Sequence, residues 1–514
     1  MKLGKSSRWI AAMAVAVLIC GNVVGSMWPA PKEEGLKPPP EFVPDASGTT
    51  HVPLMAAESE IQVGDASYRS LVFNGQYDAP LIRTRPGGVI AVDFDNRMDE
   101  ITNLHFHGMQ VSALEAGDNI FRIAQPHTRM NYTIKLPPNH SPGVYWYHSH
   151  FHGAVQRQVS GGIAGPILVE GMLDPFPELR GIKEQVLVMR NFQKTHTGKL
   201  ASRIITGAPS IRTINGQFQP EIRISPGETQ LWHLLNVAAN QYFRLKIHGQ
   251  DVQVISRDGN SVVKEDREGE LLMGPSARVS VLVVGPEPGR YPIELGKVNT
   301  GPAGDAYDGA RLATMVSVGE RVTTKRITSP YPQYADLSKQ PVARKRRYVF
   351  QDSATDPNTF MINGRRFDGT RVDTTVKLGD VEEWRLENPT QELHQFHIHQ
   401  TDFQVVAIND KPVPFTSYRD NTFIPATGSI TVRIPFIEEV TLGKFVYHCH
   451  VLEHEDGGMM QVIQVVRPKD YEQAVTLEPL GGIYGDNETC TYLQKTGNEL
   501  QISPALLSPL PKAL

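Results

Sequence analysis

The chain has 514 residues, of which 21% are charged, and its formal net charge at pH 7 is -4. This weakly acidic balance gives no electrostatic basis for binding nucleic acid, so we expect no nucleic-acid partner. The length exceeds what a single hydrophobic core organises and predicts about three domains.

The N-terminal segment, residues 1–28, has the composition of a secretory leader. Basic residues precede an apolar run from Trp9 to Val24, which is the layout of a signal peptide. The run is shorter than the roughly 20 residues that a membrane-spanning helix requires. We therefore predict a cleaved signal peptide and an exported protein, periplasmic or extracellular. The alternative is an uncleaved anchor, which would make this segment the contact with the membrane.

Composition divides the rest of the chain into segments. Residues 29–54 are rich in proline and charge and are predicted to form a linker or a strap on the surface. We predict domains at 55–172, 180–322 and 345–470, followed by a C-terminal extension at 471–514 whose role stays open. This extension holds Cys490, which has no intrachain partner if Cys20 leaves with the leader and Cys449 binds a metal. No disulfide framework is therefore expected.

An internal repeat predicts the fold class. Three similar segments each begin with an Asn-Gly pair and contain a glycine turn between strand-like stretches. The segments run from Asn74 to His107, from Asn215 to His248 and from Asn363 to His399. Few helical periods occur elsewhere, so the chain is predicted to be all-β, with three consecutive Greek-key β-sandwich domains.

Ten of the seventeen histidines lie in four short segments, together with one cysteine and one methionine. The segments contain His105 and His107; His148 and His150; His394, His397 and His399; and His448, Cys449, His450, His454 and Met459. Successive side chains of a strand face opposite sides, so His448 and His450 share one side and Cys449 faces the other. One strand is therefore predicted to serve two metal sites.

These four segments resemble the four copper-binding motifs of the multicopper oxidases, the family of laccases, bilirubin oxidases and bacterial cuprous oxidases. The resemblance is to the three-domain, laccase-like bacterial type and covers residues of roughly 55 to 470. It implies cupredoxin-like domains, a middle domain without copper ligands, and four copper ions. The implied type 1 ligands are His394, Cys449, His454 and Met459; the type 2 ligands are His105 and His397; the type 3 ligands are His107, His148, His150, His399, His448 and His450.

Two acids are candidate catalytic residues. Reduction of dioxygen to water consumes four protons, which requires acid groups near the copper cluster. The resemblance implies this role for Glu455, which follows His454, and for Asp118, which lies thirteen residues after His105. His152 and His248 also stand near ligand positions, but we interpret both as structural residues.

The class of electron donor is predicted from the ligands of the type 1 copper. A thioether ligand from Met459 should lower the type 1 potential and favour easily oxidised donors. We predict a laccase-like oxidase that is a monomer and oxidises phenols or aromatic amines, with dioxygen as the acceptor. The alternatives are a metallo-oxidase for Cu(I), Fe(II) or Mn(II), and a periplasmic copper carrier or scaffold without catalytic copper.

Overall fold

A computed structural model describes residues 35–64, 66–194, 201, 208–476, 494–496 and 499–501. The predicted leader at 1–28 and Cys490 lie outside the described residues. No helix in the described ranges is long and apolar enough to cross a membrane. Two short strands at the far end, β34 (Gln494–Thr496) and β35 (Glu499–Gln501), pair with each other.

The first domain is a sandwich of two sheets, with strand orders β3-β2-β5-β7 and β1-β4-β9-β8-β6. Its elements are β1 (Glu41–Phe42), β2 (Thr49–Val63), β3 (Ala66–Phe73), β4 (Leu81–Thr84), β5 (Val89–Asn96), β6 (His105–His107), β7 (Thr128–Lys135), β8 (Gly143–His148), α1 (Val155–Gly161) and β9 (Ala164–Val169).

The middle domain repeats this plan with sheets ordered β11-β10-β13-β18-β15-β16 and β12-β22-β19-β14-β17. Its elements are a 3-10 helix (Pro177–Leu179), β10 (Lys183–Phe192), β11 (Ile211–Ile214), β12 (Glu221–Ile224), β13 (Thr229–Asn236), β14 (Phe243–Ile247), β15 (Val252–Arg257), β16 (Asn260–Glu268), β17 (Leu271–Met273), β18 (Arg278–Val284), β19 (Gly289–Gly296), β20 (Val298–Asn299), β21 (Ala306–Tyr307) and β22 (Ala310–Ser317).

The third domain has sheets ordered β24-β23-β26-β31-β28-β29 and β25-β33-β32-β27-β30. Its strands are β23 (Arg344–Asp352), β24 (Phe360–Ile362), β25 (Thr374–Lys377), β26 (Asp380–Asn388), β27 (His394–Ile398), β28 (Gln404–Ile408), β29 (Lys411–Pro412), β30 (Asn421–Ile424), β31 (Gly428–Phe436), β32 (Gly443–Cys449) and β33 (Met460–Val466). Its helices are α2 (Leu452–Asp456), α3 (Tyr471–Thr476) and 3-10 turns at Leu337–Lys339, Glu439–Thr441 and Pro468–Asp470.

Alternating side chains build the core of each sandwich, which confirms the predicted all-β class. In β5, Ile90, Val92 and Phe94 are buried while the residues between them are more exposed. Trp232 of β13 and Trp384 of β26 are fully buried at equivalent places in the other two domains. Burying one face of a strand such as β5 fixes its register, because a slip of one residue would turn the apolar set outward.

The repeated Asn-Gly pairs form the same turn in all three domains. Asn74, Asn215 and Asn363 have φ values of 50°, 48° and 54°, and the glycine after each also has a positive φ. Two successive positive φ values define the hairpin turn that Asn-Gly favours. Each asparagine side chain accepts a 2.8 Å hydrogen bond from a backbone N–H of a neighbouring strand. The repeat in the sequence is thus a repeat in the structure.

The predicted linker at 29–54 needs correction. Strand β1 pairs with β4, and β2 begins at Thr49, so Val52 and Leu54 are part of the first core. Pro53 is compatible with β2 because this part of the strand pairs only with β5, and pairing with β3 begins at Ala56. Proline is tolerated where a strand has one open edge. Among the described residues, the strap interpretation fits only 35–40, where Gly35 pairs with Glu221 of the middle domain.

The first and third domains are joined at two short helices. Asp456, the last residue of α2, accepts hydrogen bonds from the backbone N–H groups of Gly153, Val155 and Gln156 at the start of α1, at 2.8, 3.1 and 2.9 Å. The residue before α1, Ala154, has no side chain that could do this. Asp456 therefore caps a helix of another domain.

We expect Asp456→Ala to destabilise the junction between these domains. The substitution removes the acceptor for three backbone N–H groups, and loss of such a cap costs about 1–2 kcal/mol. Thermal unfolding of the variant should begin at a temperature a few degrees lower than for the parent chain, roughly 2–4 °C. Asp99→Ala, at a carboxylate whose side chain is 98% exposed, is the matched control. Equal melting curves for the two variants would contradict the capping role.

Candidate metal centres

The mononuclear set, defined as His394, Cys449, His454 and Met459, converges in the core of the third domain. His394 begins β27, Cys449 ends β32, and His454 lies on α2. Cys449 Sγ is 3.8 Å from His394 Nδ1 and 3.5 Å from His454 Nδ1, and the two Nδ1 atoms are 3.1 Å apart. Three donor atoms of the kind that bind blue copper therefore face one point.

Met459 is tied to the same place by its backbone. Its carbonyl accepts a hydrogen bond of 3.0 Å from the Cys449 N–H, and its N–H donates to the His454 carbonyl at 2.9 Å. The side chain is fully buried. The turn between α2 and β33 thus holds Met459 beside the cysteine and histidine.

Burial shifts the pKa values of the residues in the mononuclear set. It raises the pKa of the Cys449 thiol to about 12 and lowers the pKa of His454 to about 3. Neutral imidazoles are the form that binds a metal, whereas a buried thiolate needs a nearby cation. The Gln395 N–H also points at Cys449 Sγ, at 3.3 Å. The donor set therefore fits a copper ion.

A second set of eight histidines joins the first and third domains. Strand pairing places His105 opposite His148 in the first domain and His397 opposite His448 in the third. Rings from the two domains stack across the interface: His105 on His399 at 3.7 Å between centroids, and His107 on His397 at 3.8 Å. The set comprises His105, His107, His148, His150, His397, His399, His448 and His450, all buried.

Several ring nitrogens of this set face one another and have no protein acceptor among the described residues. Nε2 atoms of His150, His399 and His448 lie 3.2–3.3 Å from one another. Within the described residues, Nε2 of His105 and of His397 has no hydrogen-bond partner. Burial, and then repulsion between the imidazoles, lowers the pKa of His105 well below its ordinary value. Buried nitrogens that face each other are unfavourable unless cations lie between them, so this set also fits copper.

Asp118 contacts a histidine of this set. Both of its carboxylate oxygens lie 3.0 Å from His105 Nδ1. Its carboxylate also accepts hydrogen bonds from the Phe106 N–H at 3.0 Å and from Gln400 Nε2 at 2.9 Å. Burial raises the pKa of Asp118 to about 7. A carboxylate on Nδ1 orients the ring and leaves Nε2 available as a metal ligand.

Glu455 bridges histidines of two domains. Its carboxylate is 3.4 Å from His150 Nδ1 and 3.1 Å from His448 Nδ1, and it is fully buried. Burial opposes ionisation, but the two imidazoles outweigh it and hold the pKa of Glu455 at about 2. The structure therefore places both predicted acids beside predicted ligands.

His248 lies away from both sets, whereas His152 is near enough to the eight-histidine set for Glu455 and His448 to act on its pKa. His152 packs against the ring of Phe367 at 4.8 Å. His248 follows β14 and pairs with Glu294 at 2.7 Å on the half-exposed surface of the middle domain. Both positions agree with a structural role.

Asp420 also lies beside the eight-histidine set, and no sequence motif indicated it. The Asp420 carbonyl accepts a hydrogen bond of 2.8 Å from His397 Nδ1. Asp420 belongs to no histidine motif and lies 23 positions after its partner, so no local spacing indicates it. The strand pairing of β27 with β30 brings the two together.

A cavity of about 390 Å³ adjoins His454 at the protein surface. Carboxylates from the middle and third domains dominate its polar lining: Asp305, Asp352, Glu392 and Glu453. Glu392 Oε1 is 3.4 Å from His454 Nε2. Burial raises the pKa of Glu392 to about 8, and repulsion by Asp352, Asp305 and Glu453 adds to this.

Family models described as multicopper oxidase match residues 56–173, 186–319 and 340–469 of this chain. The multicopper oxidase mco of Staphylococcus aureus is 24% identical over 421 residues, which cover 80% of this chain and 87% of that protein.

Solved structures show the same architecture. A multicopper oxidase from Campylobacter jejuni, described as a metallo-oxidase, superposes with a TM-score of 0.76 at 24% identity and covers 85% of this chain and 96% of that one. The laccase-like multicopper oxidase CueO of Ochrobactrum sp. gives a TM-score of 0.71 at 26% identity, with 84% and 100% covered. With three matched domains and two donor sets suited to copper, the chain belongs to the multicopper oxidase family and is a copper-dependent oxidoreductase that uses oxygen.

Proposed function

We propose that this oxidase takes its electrons from a cationic donor, with Fe(II) or Mn(II) as the best match to the site. Bound copper would supply the one-electron redox chemistry that links the donor to dioxygen. Four Fe(II) ions would become four Fe(III) ions while one dioxygen and four protons become two waters. Cys449 is bonded in the chain to His448 and His450, which gives electrons a short covalent path between the two sets of ligands.

The acidic cavity beside His454 carries this proposal. His454 and Glu392 are in contact at 3.4 Å, and the Glu392 side chain is 13% exposed, so a bound ion could lie against the edge of the mononuclear set. Three further carboxylates line the same cavity. Their mutual repulsion would be relieved by a cation, which neither a neutral phenol nor an anionic donor provides.

The kind of donor atom distinguishes among the metal ions. Carboxylate oxygens suit Mn(II) and comparable hard ions, whereas Cu(I) prefers cysteine and methionine sulfur. The residues that line the described cavity include neither cysteine nor methionine. We therefore favour Fe(II) or Mn(II) over Cu(I).

An aromatic amine is the second candidate. The Phe360 ring stacks on His454 at 4.2 Å between centroids and lines the cavity with Tyr242. A protonated aromatic amine could use both these rings and the carboxylates. The sequence predicted phenols or aromatic amines as donors. The cavity supports the aromatic amines, and oxidation of phenols stays a prediction.

Steady-state oxygen uptake by the copper-loaded protein tests the donor class. We expect Asp352→Asn to raise KM for Fe(II) or Mn(II) about tenfold, because loss of one carboxylate contact removes about 1.4 kcal/mol of binding. KM for a neutral methoxyphenol should change much less. Glu320→Gln, a charge removed from an exposed site in the middle domain, is the matched control.

Two results would contradict a cationic donor. One is phenol-driven uptake far faster than uptake with any metal ion or amine. The other is an Asp352→Asn variant whose KM for metal ions equals that of Glu320→Gln. In either case the acidic cavity would not be the donor site.

We further propose that the protein binds four copper ions, is exported and acts as a monomer. The copper number rests on the complete sets of candidate ligands, and copper analysis per chain tests it. Export rests on the sequence of residues 1–28; N-terminal sequencing of the protein from fractionated cells would detect cleavage. Light scattering gives the oligomeric state.

A further inference from the structure

Arg278 is a fully buried arginine of the middle domain, the domain without predicted copper ligands. It begins β18, and its guanidinium reaches Asp420 of the third domain. Nη1 donates to Asp420 Oδ1 at 2.7 Å, and Nη2 donates to Asp420 Oδ2. Two parallel hydrogen bonds fix both the distance and the angle of the carboxylate, which a single contact does not.

Asp420 in turn contacts two histidines that face each other across the domain interface. Its carbonyl accepts from His397 Nδ1 at 2.8 Å. Its Oδ1 lies 3.5 Å from His107 Nε2 and 3.6 Å from His397 Nδ1. Since Nδ1 of His397 is held by the carbonyl, Nε2 is the nitrogen left for a metal. The carboxylate thus lies against the stacked His107 and His397 pair.

The Arg278 and Asp420 side chains pack directly against the backbone of Gly108. Gly108 follows His107 directly and has a φ of 82°. A Cβ atom at this position would collide with Arg278 Nη2 and Asp420 Oδ2. The glycine after the first His-X-His pair therefore leaves room for the arginine and the aspartate.

Arg278 touches all three domains. Its Nε donates to the Val144 carbonyl of the first domain at 3.4 Å, and its guanidinium lies 5.7 Å from the centre of the Tyr145 ring. In its own domain the Arg278 N–H donates to Asp258 Oδ1 at 3.0 Å. A substitution of Arg278 would therefore alter contacts at the junction of the three domains.

We propose that Arg278 is a positioning residue for the eight-histidine set. Through Asp420 it fixes the orientation of His107 and His397. The middle domain, which supplies no copper ligand, thus helps to build the copper cluster. The inference is independent of the electron donor.

Arg278→Lys tests the role of the guanidinium fork. Lysine keeps the charge but cannot make two parallel hydrogen bonds. We expect the variant to bind about one copper ion fewer per chain, to show an altered electron paramagnetic resonance signal of type 2 copper, and to reduce dioxygen about tenfold more slowly. The visible absorption of type 1 copper should remain, because the contacts of Arg278 with the described residues do not include His394, Cys449 or His454.

The matched control is Arg346→Lys. Arg346 also makes two parallel hydrogen bonds, to the Glu382 carboxylate at 2.6 and 2.8 Å, but within the third domain and away from both histidine sets. This variant should keep the copper content and the resonance signal of the parent chain. Equal spectra and equal copper for both arginine variants would overturn the proposal.

If Arg278→Lys does not fold, a double variant provides a second test of the proposal. Arg278→Met with Asp420→Asn removes both charges, so that neither is left buried without its partner. Circular dichroism establishes that the chain is folded, and copper content and the type 2 signal are then measured. Loss of copper or a changed signal supports the proposal, whereas a parental signal overturns it.

Discussion

Cys449→Ser is expected to abolish donor-dependent oxygen uptake. Cys449 supplies the only sulfur anion of the mononuclear set, with Sγ 3.5 Å from His454 Nδ1. A serine oxygen is a weak substitute for a thiolate, so electrons would no longer enter at this site. The loss should exceed the roughly 100-fold that removal of an outer hydrogen-bond partner costs. The blue absorption of type 1 copper should disappear with it.

The chain offers a matched control for this substitution. Cys490→Ser changes a cysteine that lies far from every histidine motif in the sequence. We expect it to keep both the absorption and the activity. Donor-dependent uptake that persists in Cys449→Ser at the parental rate would contradict the assignment of this residue as the electron entry point.

Glu455→Ala is expected to slow the reduction of dioxygen by about 10-fold to 100-fold. The carboxylate contacts His150 of the first domain and His448 of the third, at 3.4 and 3.1 Å, and its loss would free both rings. It is also a carboxylate next to the cluster, and a positioned group that accepts protons and passes them on contributes rate directly. Rapid-reaction kinetics of the fully reduced enzyme with oxygen measures this step apart from donor oxidation.

Glu455→Gln separates the two contributions. The amide keeps the size of the side chain and can still hydrogen-bond, so copper content should remain near the parental value while the reaction with oxygen stays slow. Restored rates in Glu455→Gln would mean that the residue acts by orienting the rings and not by passing protons on to the cluster. Parental rates in both variants would remove Glu455 from the site.

The two largest effects concern residues six positions apart in the sequence: Cys449 at the end of β32, and Glu455 in α2 within the loop that leads to β33. Cys449, His454, Glu455 and Asp456 bind or orient three different partners: the mononuclear set, the eight-histidine set and helix α1 of the first domain. A change in this loop therefore affects both metal centres and the junction between the domains. We expect the loop to tolerate little substitution.

The sequence alone determined the fold class and the candidate ligands. Strand alternation, Asn-Gly turns and His-X-His pairs are local patterns, because their physical cause lies within a few residues of chain. Asp118 and Glu455 were indicated by the resemblance to the multicopper oxidases, which implies acids at their positions relative to the histidine motifs. Proline content predicted a wrong domain boundary: it assigned Pro53 to a linker, whereas this residue lies in β2, where an open strand edge accepts it.

Only the tertiary structure decided the rest. Asp420 reaches His397 through strand pairing, Arg278 comes from another domain, and Asp456 caps a helix some 300 residues away in the chain. The acidic cavity beside His454 likewise collects carboxylates from two domains. These contacts depend on how sheets and domains pack, which no local spacing encodes, because each partner is an ordinary charged residue in its own stretch of sequence.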